Sequence, residues 1–243
     1  MSWSRGSPEV RIAEPALVVE ALAADFAAEA GAALERGTRF TVGIPGGSVA
    51  RSCFPRLAAL ALDWSRIDFF WTDERAVPVT SPESNYALGR ALLLEPLGVP
   101  SERIHRMMGE AADLERAAGA YADELETVAG TPPRLDYVLL GVGADGHVAS
   151  LFPDHRALHD QRSVIAIEDA PLPPSRRLSL SLPMLGNAAR LAIVAFGSTK
   201  ARVVGEAVKD INSPLPVAQV ARRTRRCLIL VDREAGSRAE RGT

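Results

Sequence analysis

Residues 135–153, LDYVLLGVGADGHVASLFP, constrain this chain of 243 residues more than any other stretch. The first part is an apolar run that includes Tyr137 and β-branched Val138, and it reads as a buried strand. The run stops at a loop with three glycines, Gly141, Gly143 and Gly146, in which Asp145 and His147 stand two apart. Loops just past the C-terminal ends of buried strands are where open α/β sheets bind ligands. A histidine in such a loop titrates near neutral pH and can exchange protons with a substrate.

The same glycines satisfy G-x-G-x-x-G, and Glu168 and Asp169 follow about 20 residues later, the spacing of a dinucleotide fingerprint. That fingerprint needs a long helix to open at the glycines. Pro153 limits any helix there to one or two turns, so dinucleotide binding is not expected. No G-K-[ST] sequence is present, which excludes a nucleotide P-loop.

Apolar runs and helical spacing alternate along the chain. Helices are predicted over residues 14–36, 49–61, 86–94, 113–128 and 199–208, with Pro55 kinking the second or shifting its start. Strands are predicted over residues 39–44, 67–71, 135–140, 164–167, 191–196 and 227–231. Residues 171–174 read as a Pro-rich loop. This order favours a single α/β domain with a largely parallel sheet and helices on both faces, a Rossmann-like arrangement. The domain is expected over residues 10–232, between a flexible N-terminus (1–9) and a frayed, charged tail (233–243).

Composition narrows the function by exclusion. A net charge of −2 gives no electrostatic case for nucleic acid or an anionic membrane. The 2 cysteines, Cys53 and Cys227, are too few for a disulfide scaffold. No signal peptide and no apolar run long enough to span a membrane is evident, so a cytoplasmic protein is expected. Lys200 and Lys209 are the only lysines of a chain rich in arginine, which makes Lys200 worth attention.

Four predicted strands end in polar loops: Pro45-Gly46-Gly47-Ser48, Thr72-Asp73-Glu74-Arg75, Gly141 to His147, and Gly197 to Lys200. In a parallel sheet these ends share one edge, so one site collecting Ser48, Asp73, Arg75, Asp145, His147 and Lys200 is predicted. Gly46, Gly47 and Ser48 lead into a helix whose free N–H groups suit an anion, although Ser48 as an ordinary N-cap explains the sequence equally well. Asp73-Glu74-Arg75 reads either as a solvated charge run or as site residues, with Arg75 clamping an anion and Asp73 orienting a water or a histidine. Arg177 and Lys200 are either phosphate-neutralising cations or surface charges. His105, His155 and His159 are expected at the surface. A metal site from Asp145, His147, His155 and His159 matches no standard spacing, so no metal is expected.

The segments GVGADGHVASLFP (141–153), FFWTDERAVPVTSPESNY (69–86), GGS (46–48), RLSLSLPML (177–185) and GSTKA (197–201) resemble the motifs of 6-phosphogluconolactonases, within the glucosamine-6-phosphate isomerase/6-phosphogluconolactonase family. The motifs occur in the expected order, and the resemblance runs from about residue 10 to residue 231. It implies hydrolysis of 6-phospho-D-glucono-1,5-lactone to 6-phospho-D-gluconate, the second step of the oxidative pentose phosphate pathway, without metal or organic cofactor. By resemblance His147 is the catalytic base. Gly46, Gly47, Ser48, Arg177 and Lys200 would hold the phosphate. Arg75 would contact substrate or steady the histidine region, and Asp73 and Asp145 would line the site. The developing oxyanion is expected to meet loop N–H groups among residues 141–146.

Two departures stand out. The threonine-proline usual after the serine is Val49-Ala50 here, which removes one phosphate donor, and the usual Leu-Asn pair is Leu185-Gly186-Asn187. The rival chemistry in the family is glucosamine-6-phosphate deamination/isomerisation, whose motif continues to Asn-Glu-Pro with a catalytic glutamate. The matching positions here are Leu151-Phe152-Pro153, and phenylalanine cannot transfer a proton. A non-catalytic sugar-phosphate sensor is the second rival. The expected partner is a small sugar-phosphate lactone, and the expected state a monomer, with a weak dimer as the alternative.

Overall fold

Six strands of the chain are almost wholly apolar, and that property sets the architecture. In the structure, a computed structural model describing residues 7–239, the chain order begins with β1 (Glu9–Ala13), α1 (Pro15–Glu35), β2 (Phe40–Ile44), α2 (Gly47–Leu57), β3 (Ile67–Trp71) and β4 (Asp73–Arg75). Next come α3 (Asn85–Gly89), a wide helical turn over Arg90–Leu94, α4 (Glu95–Leu97), β5 (Ile104–His105), α5 (Leu114–Ala129) and β6 (Tyr137–Gly141). The remainder is β7 (Val164–Ile167), β8 (Arg177–Leu180), α6 (Leu182–Gly186), β9 (Arg190–Ala195), α7 (Ala201–Lys209), α8 (Pro216–Arg223), β10 (Cys227–Asp232) and α9 (Arg233–Gly236).

Seven strands form one parallel sheet in the order β1-β10-β9-β6-β2-β3-β5. From β2 the chain steps outward through β3 to β5, and from β6 it steps the other way through β9 to β10. Right-handed crossovers in opposite directions put their helices on opposite faces. Strands β2, β3, β9 and β10 are buried along their whole length, as a doubly covered sheet requires. Below the sheet centre Phe26, Phe40, Trp64, Phe69 and Tyr137 form a chain of ring contacts 5.3 to 6.3 Å apart. Fully burying one such side chain contributes about 1.5–3 kcal/mol.

The reversal of strand order falls between β2 and β6, and such a switch point opens a crevice at the C-terminal strand ends. The two glycine loops of the sequence therefore lie side by side. A Cβ on Gly141 would sit 3.1 Å from Val49 in the first turns of α2.

Several expectations need correction. The residues Asp73-Glu74-Arg75, read as a loop, are a strand, buried at Asp73 and Glu74, of a second sheet, three-stranded and antiparallel in the order β4-β8-β7. The chain passes between sheets at Thr72, whose N–H donates to Ile44 of the large sheet while its carbonyl accepts from Leu180 of the small one. Helix α2 stops at Leu57, two residues after Pro55, rather than running to 61. Residue Glu9, placed in the flexible N-terminus, opens β1 and pairs with Leu228. The stretch expected as a frayed tail begins with α9, which Asp232 caps by accepting from the Ala235 N–H, and Ala235 is buried. Residues 1–6 and 240–243 lie outside the described residues. No helix of the described residues is long and apolar enough to cross a membrane.

Candidate active site

Helix α2 starts where glycine is needed twice. A Cβ on Gly46 would lie 1.8 Å from Asn85 Oδ1, and Gly47 has φ +66°, in the left-handed region. Gly46, not Ser48, is the N-cap residue; no side chain caps the helix, and its first turn holds no acid. Ser48 is exposed. The free N–H groups of that turn and the helix dipole together favour an anion.

Strand β4 explains the charge run. Side chains alternate along a strand, so Asp73 and Arg75 share one face and Glu74 takes the other. The register sets Asp73 opposite Ser179 and Arg75 opposite Arg177. Glu74 is buried and accepts hydrogen bonds from the Arg75, Asn85 and Tyr86 N–H groups and from the Ser84 hydroxyl, which ties down the start of α3. Burial raises its pKa in spite of those four donors. Asp73 is also buried; its carboxylate accepts from Ser150 Oγ at 2.7 Å and from Asn85 Nδ2 at 3.2 Å. Asn85 thereby joins the Gly46 turn to Asp73, and Ser150 joins Asp73 to the histidine loop.

That loop is shaped around His147. Asp145 Oδ1 accepts from the His147 N–H at 3.1 Å and meets ring Nδ1 at 2.7 Å. Burial would raise the Asp145 pKa, but the amide and ring of His147 outweigh it and hold the carboxyl below its ordinary value. With Nδ1 engaged, Nε2 has no hydrogen-bond partner among the described residues. A Cβ on Gly143 would fall 2.1 Å from His147 Nδ1 and 2.4 Å from Asp145 Oδ1, so only glycine permits the pair. The ring of His147 also rests on buried Phe152, 4.6 Å between centroids. No long helix follows Gly146, which removes the dinucleotide reading: residues 147–153 are turns and one short bridge between Val148 and Leu151. The N–H groups of Gly143 and Gly146 donate to His147 and Gly143 carbonyls, so neither serves as the expected oxyanion donor.

Lys200 precedes α7, in a turn pinned by Asp232, which accepts from the Gly197 N–H at 2.9 Å. Partial burial lowers the Lys200 pKa, and the attraction of nearby Asp145 opposes that shift. Arg75 donates from Nη1 to the Glu83 carbonyl at 2.7 Å, and its Nε is buried without a partner. Arg177 is not a surface charge, being only 4% exposed and engaged with protein acceptors.

The structure therefore gathers Gly46, Gly47, Ser48, Asp73, Arg75, Asp145, His147, Arg177 and Lys200 around one sheet edge. Asn85, Ser150 and Phe152 belong with them and were not singled out as site residues from the sequence. Both Asn85 and Ser150 lie inside the two long motifs, the one signal that marked them. Of the other histidines, His159 is exposed as expected, whereas His155 is half-buried and bonds Asp169. His105 is 7% exposed, against expectation, because Asp68 and Glu124 flank it. Among the described residues no three His, Cys, Asp or Glu side chains are grouped to hold a metal ion.

Known proteins with this pattern decide the lineage. A model of the family described as glucosamine-6-phosphate isomerases/6-phosphogluconolactonase matches residues 13–229. The chain belongs to that family. A 6-phosphogluconolactonase of Streptomyces coelicolor is 38% identical over 191 residues, 74% of this chain and 73% of that protein. A probable 6-phosphogluconolactonase of Schizosaccharomyces pombe is 33% identical over 241 residues, 93% of this chain and 94% of its own length. The crystal structure of 6-phosphogluconolactonase from Thermotoga maritima superposes with a TM-score of 0.83 at 25% identity, covering 93% of this chain and 99% of that one. Membership alone leaves two chemistries open, since the family description names both. Phe152 separates them, because it fills with a buried ring the position where the resemblance places the deaminase glutamate.

Proposed function

We propose that this chain hydrolyses 6-phospho-D-glucono-1,5-lactone to 6-phospho-D-gluconate, as a monomer in the cytoplasm, with His147 as general base. The observation that carries the reading is the His147–Asp145 pair. Asp145 fixes the ring through Nδ1 at 2.7 Å and leaves Nε2 to work on substrate. Nε2 takes a proton from water as the water oxygen bonds to C1 of the lactone. The C1–ring oxygen bond then breaks, and the proton on Nε2 passes to the departing ring oxygen. The developing oxyanion is met by loop amides other than those of Gly143 and Gly146.

The phosphate goes to the N-terminus of α2, with Gly46, Gly47 and Ser48, and to Lys200. Partial burial strengthens such a contact by lowering the local dielectric. Arg75 adds positive charge from β4. The absence of the family's threonine after Ser48 lowers phosphate affinity without abolishing it, because the backbone N–H groups remain.

The test is the hydrolysis of freshly generated 6-phosphogluconolactone, corrected for spontaneous opening. Fast turnover is expected. A rate at background, with tight binding of 6-phosphogluconate, would make the chain a sugar-phosphate sensor. Ammonia release from glucosamine 6-phosphate would make it a deaminase.

A further inference from the structure

Arg177 is the one cation of the site that is folded inward. All three of its guanidinium nitrogens are used: Nε donates to the Pro174 carbonyl at 2.8 Å, Nη2 to the Leu172 and Pro173 carbonyls at 3.0 and 3.2 Å, and Nη1 to Ser150 Oγ at 3.4 Å. A phosphate ligand needs two or more N–H groups converging on open space. Arg177 has at most one N–H left of five. No carboxylate pairs with it directly among the described residues; Asp73 reaches it through the Ser150 hydroxyl. Burial and the facing Arg75 both weaken its hold on its proton, with Asp73 opposing.

Its remaining surface lies over a ring. Cζ of Arg177 stands 5.5 Å from the centroid of Phe152, and Phe152 is fully buried. Phe152 in turn meets the His147 ring, at 4.6 Å and 40°. His147 is thus restrained at one edge by the Asp145 carboxylate and by its contact with Phe152, whose ring Arg177 also meets. The guanidinium also ties residues 172–174 and Ser150 together.

We propose that Arg177 is a positioning residue that acts on His147 through Phe152, and that it does not contact the phosphate of the substrate. The proposal rests on His147 being the base. A variant His147→Ala that kept its activity would remove that premise, a failure separate from those below.

The experiment compares Arg177→Met, Arg177→Lys and Phe152→Leu with wild type by two readouts: kcat for 6-phosphogluconolactone, and the Kd for 6-phosphogluconate by calorimetry. Misplacing a catalytic group by a fraction of an ångström costs roughly tenfold or more in rate. Arg177→Met and Phe152→Leu are each expected to lower kcat about tenfold, with product affinity within about twofold of wild type. Arg177→Lys keeps the charge and loses the planar fork, and is expected to lower kcat as well. A Kd raised tenfold or more in either Arg177 variant would return Arg177 to the phosphate and overturn the proposal. A wild-type kcat in Phe152→Leu would overturn the route through the ring. Should Arg177→Met fail to fold by circular dichroism, Arg177→Lys and Phe152→Leu decide the matter by the same two readouts.

Discussion

Two of the histidine–carboxylate arrangements in the molecule stand in sharp contrast, those of His105 and His147. His105 lies between two acids, with Nδ1 at 2.6 Å from Glu124 and Nε2 at 3.0 Å from Asp68, and its ring stacks on Phe70 at 4.4 Å. His147 has one acid, Asp145, at Nδ1. Burial alone would lower the pKa of His105, but hydrogen bonds to Asp68 and Glu124 and their charges overcome it and raise the value to about 9. A ring with both nitrogens committed is a fixed cation that holds edge strand β5 onto α5. A ring with one nitrogen committed and one open is the arrangement that the proposed mechanism requires of its base. The residue types are the same; what separates the two is whether a ring nitrogen is left open.

Removing each histidine separates the two roles most sharply. His147→Ala is expected to lower lactone hydrolysis by about 10²–10⁴-fold with the melting temperature retained, measured by corrected rates and circular dichroism. His105→Gln should do the reverse, costing stability and sparing kcat in the folded fraction. The pH dependence follows from the raised pKa. Wild type carries the His105 contribution in full below the unfolded value near 6.5 and loses it as pH rises through about 9. The contribution is at most about 3 kcal/mol, and urea midpoints at pH 6 and pH 9 would show its loss in wild type and its absence in the variant.

Asp145→Ala tests whether a single acid suffices to aim the ring. A fall of roughly 10- to 100-fold in kcat is expected, with KM little changed; a loss confined to KM would mean that Asp145 serves substrate rather than His147. Lys200→Ala has the smallest expected effect. It should raise KM for the phosphorylated lactone by roughly tenfold, the weight of one charge-assisted hydrogen bond, and leave kcat near wild type.

What could be read from the sequence was whatever burial writes in apolar residues. IDFFW and YVLLG were legible as strands, and their ends pointed to the candidate site. β4 was not, because three charges look solvated until their partners are known: Glu74 is satisfied by donors 10 to 12 residues on, and Asp73 by Ser150, 77 residues away. Ser150 and Asn85 were silent for the same reason, as neutral side chains gain a role only from what they touch. His105 was misjudged because its acids arrive from a different strand and a different helix. Arg177 carries its charge into the interior, where only carbonyls, a hydroxyl and a ring receive it.

The tightest tolerance in the active loop falls on a residue with no side chain. At Gly143 one added methyl would occupy the space of the His147 ring. A lineage of this protein could therefore lose its chemistry while keeping every group that performs it. Substitutions there deserve the same weight as substitutions of the histidine when sequence variants are judged active or inert.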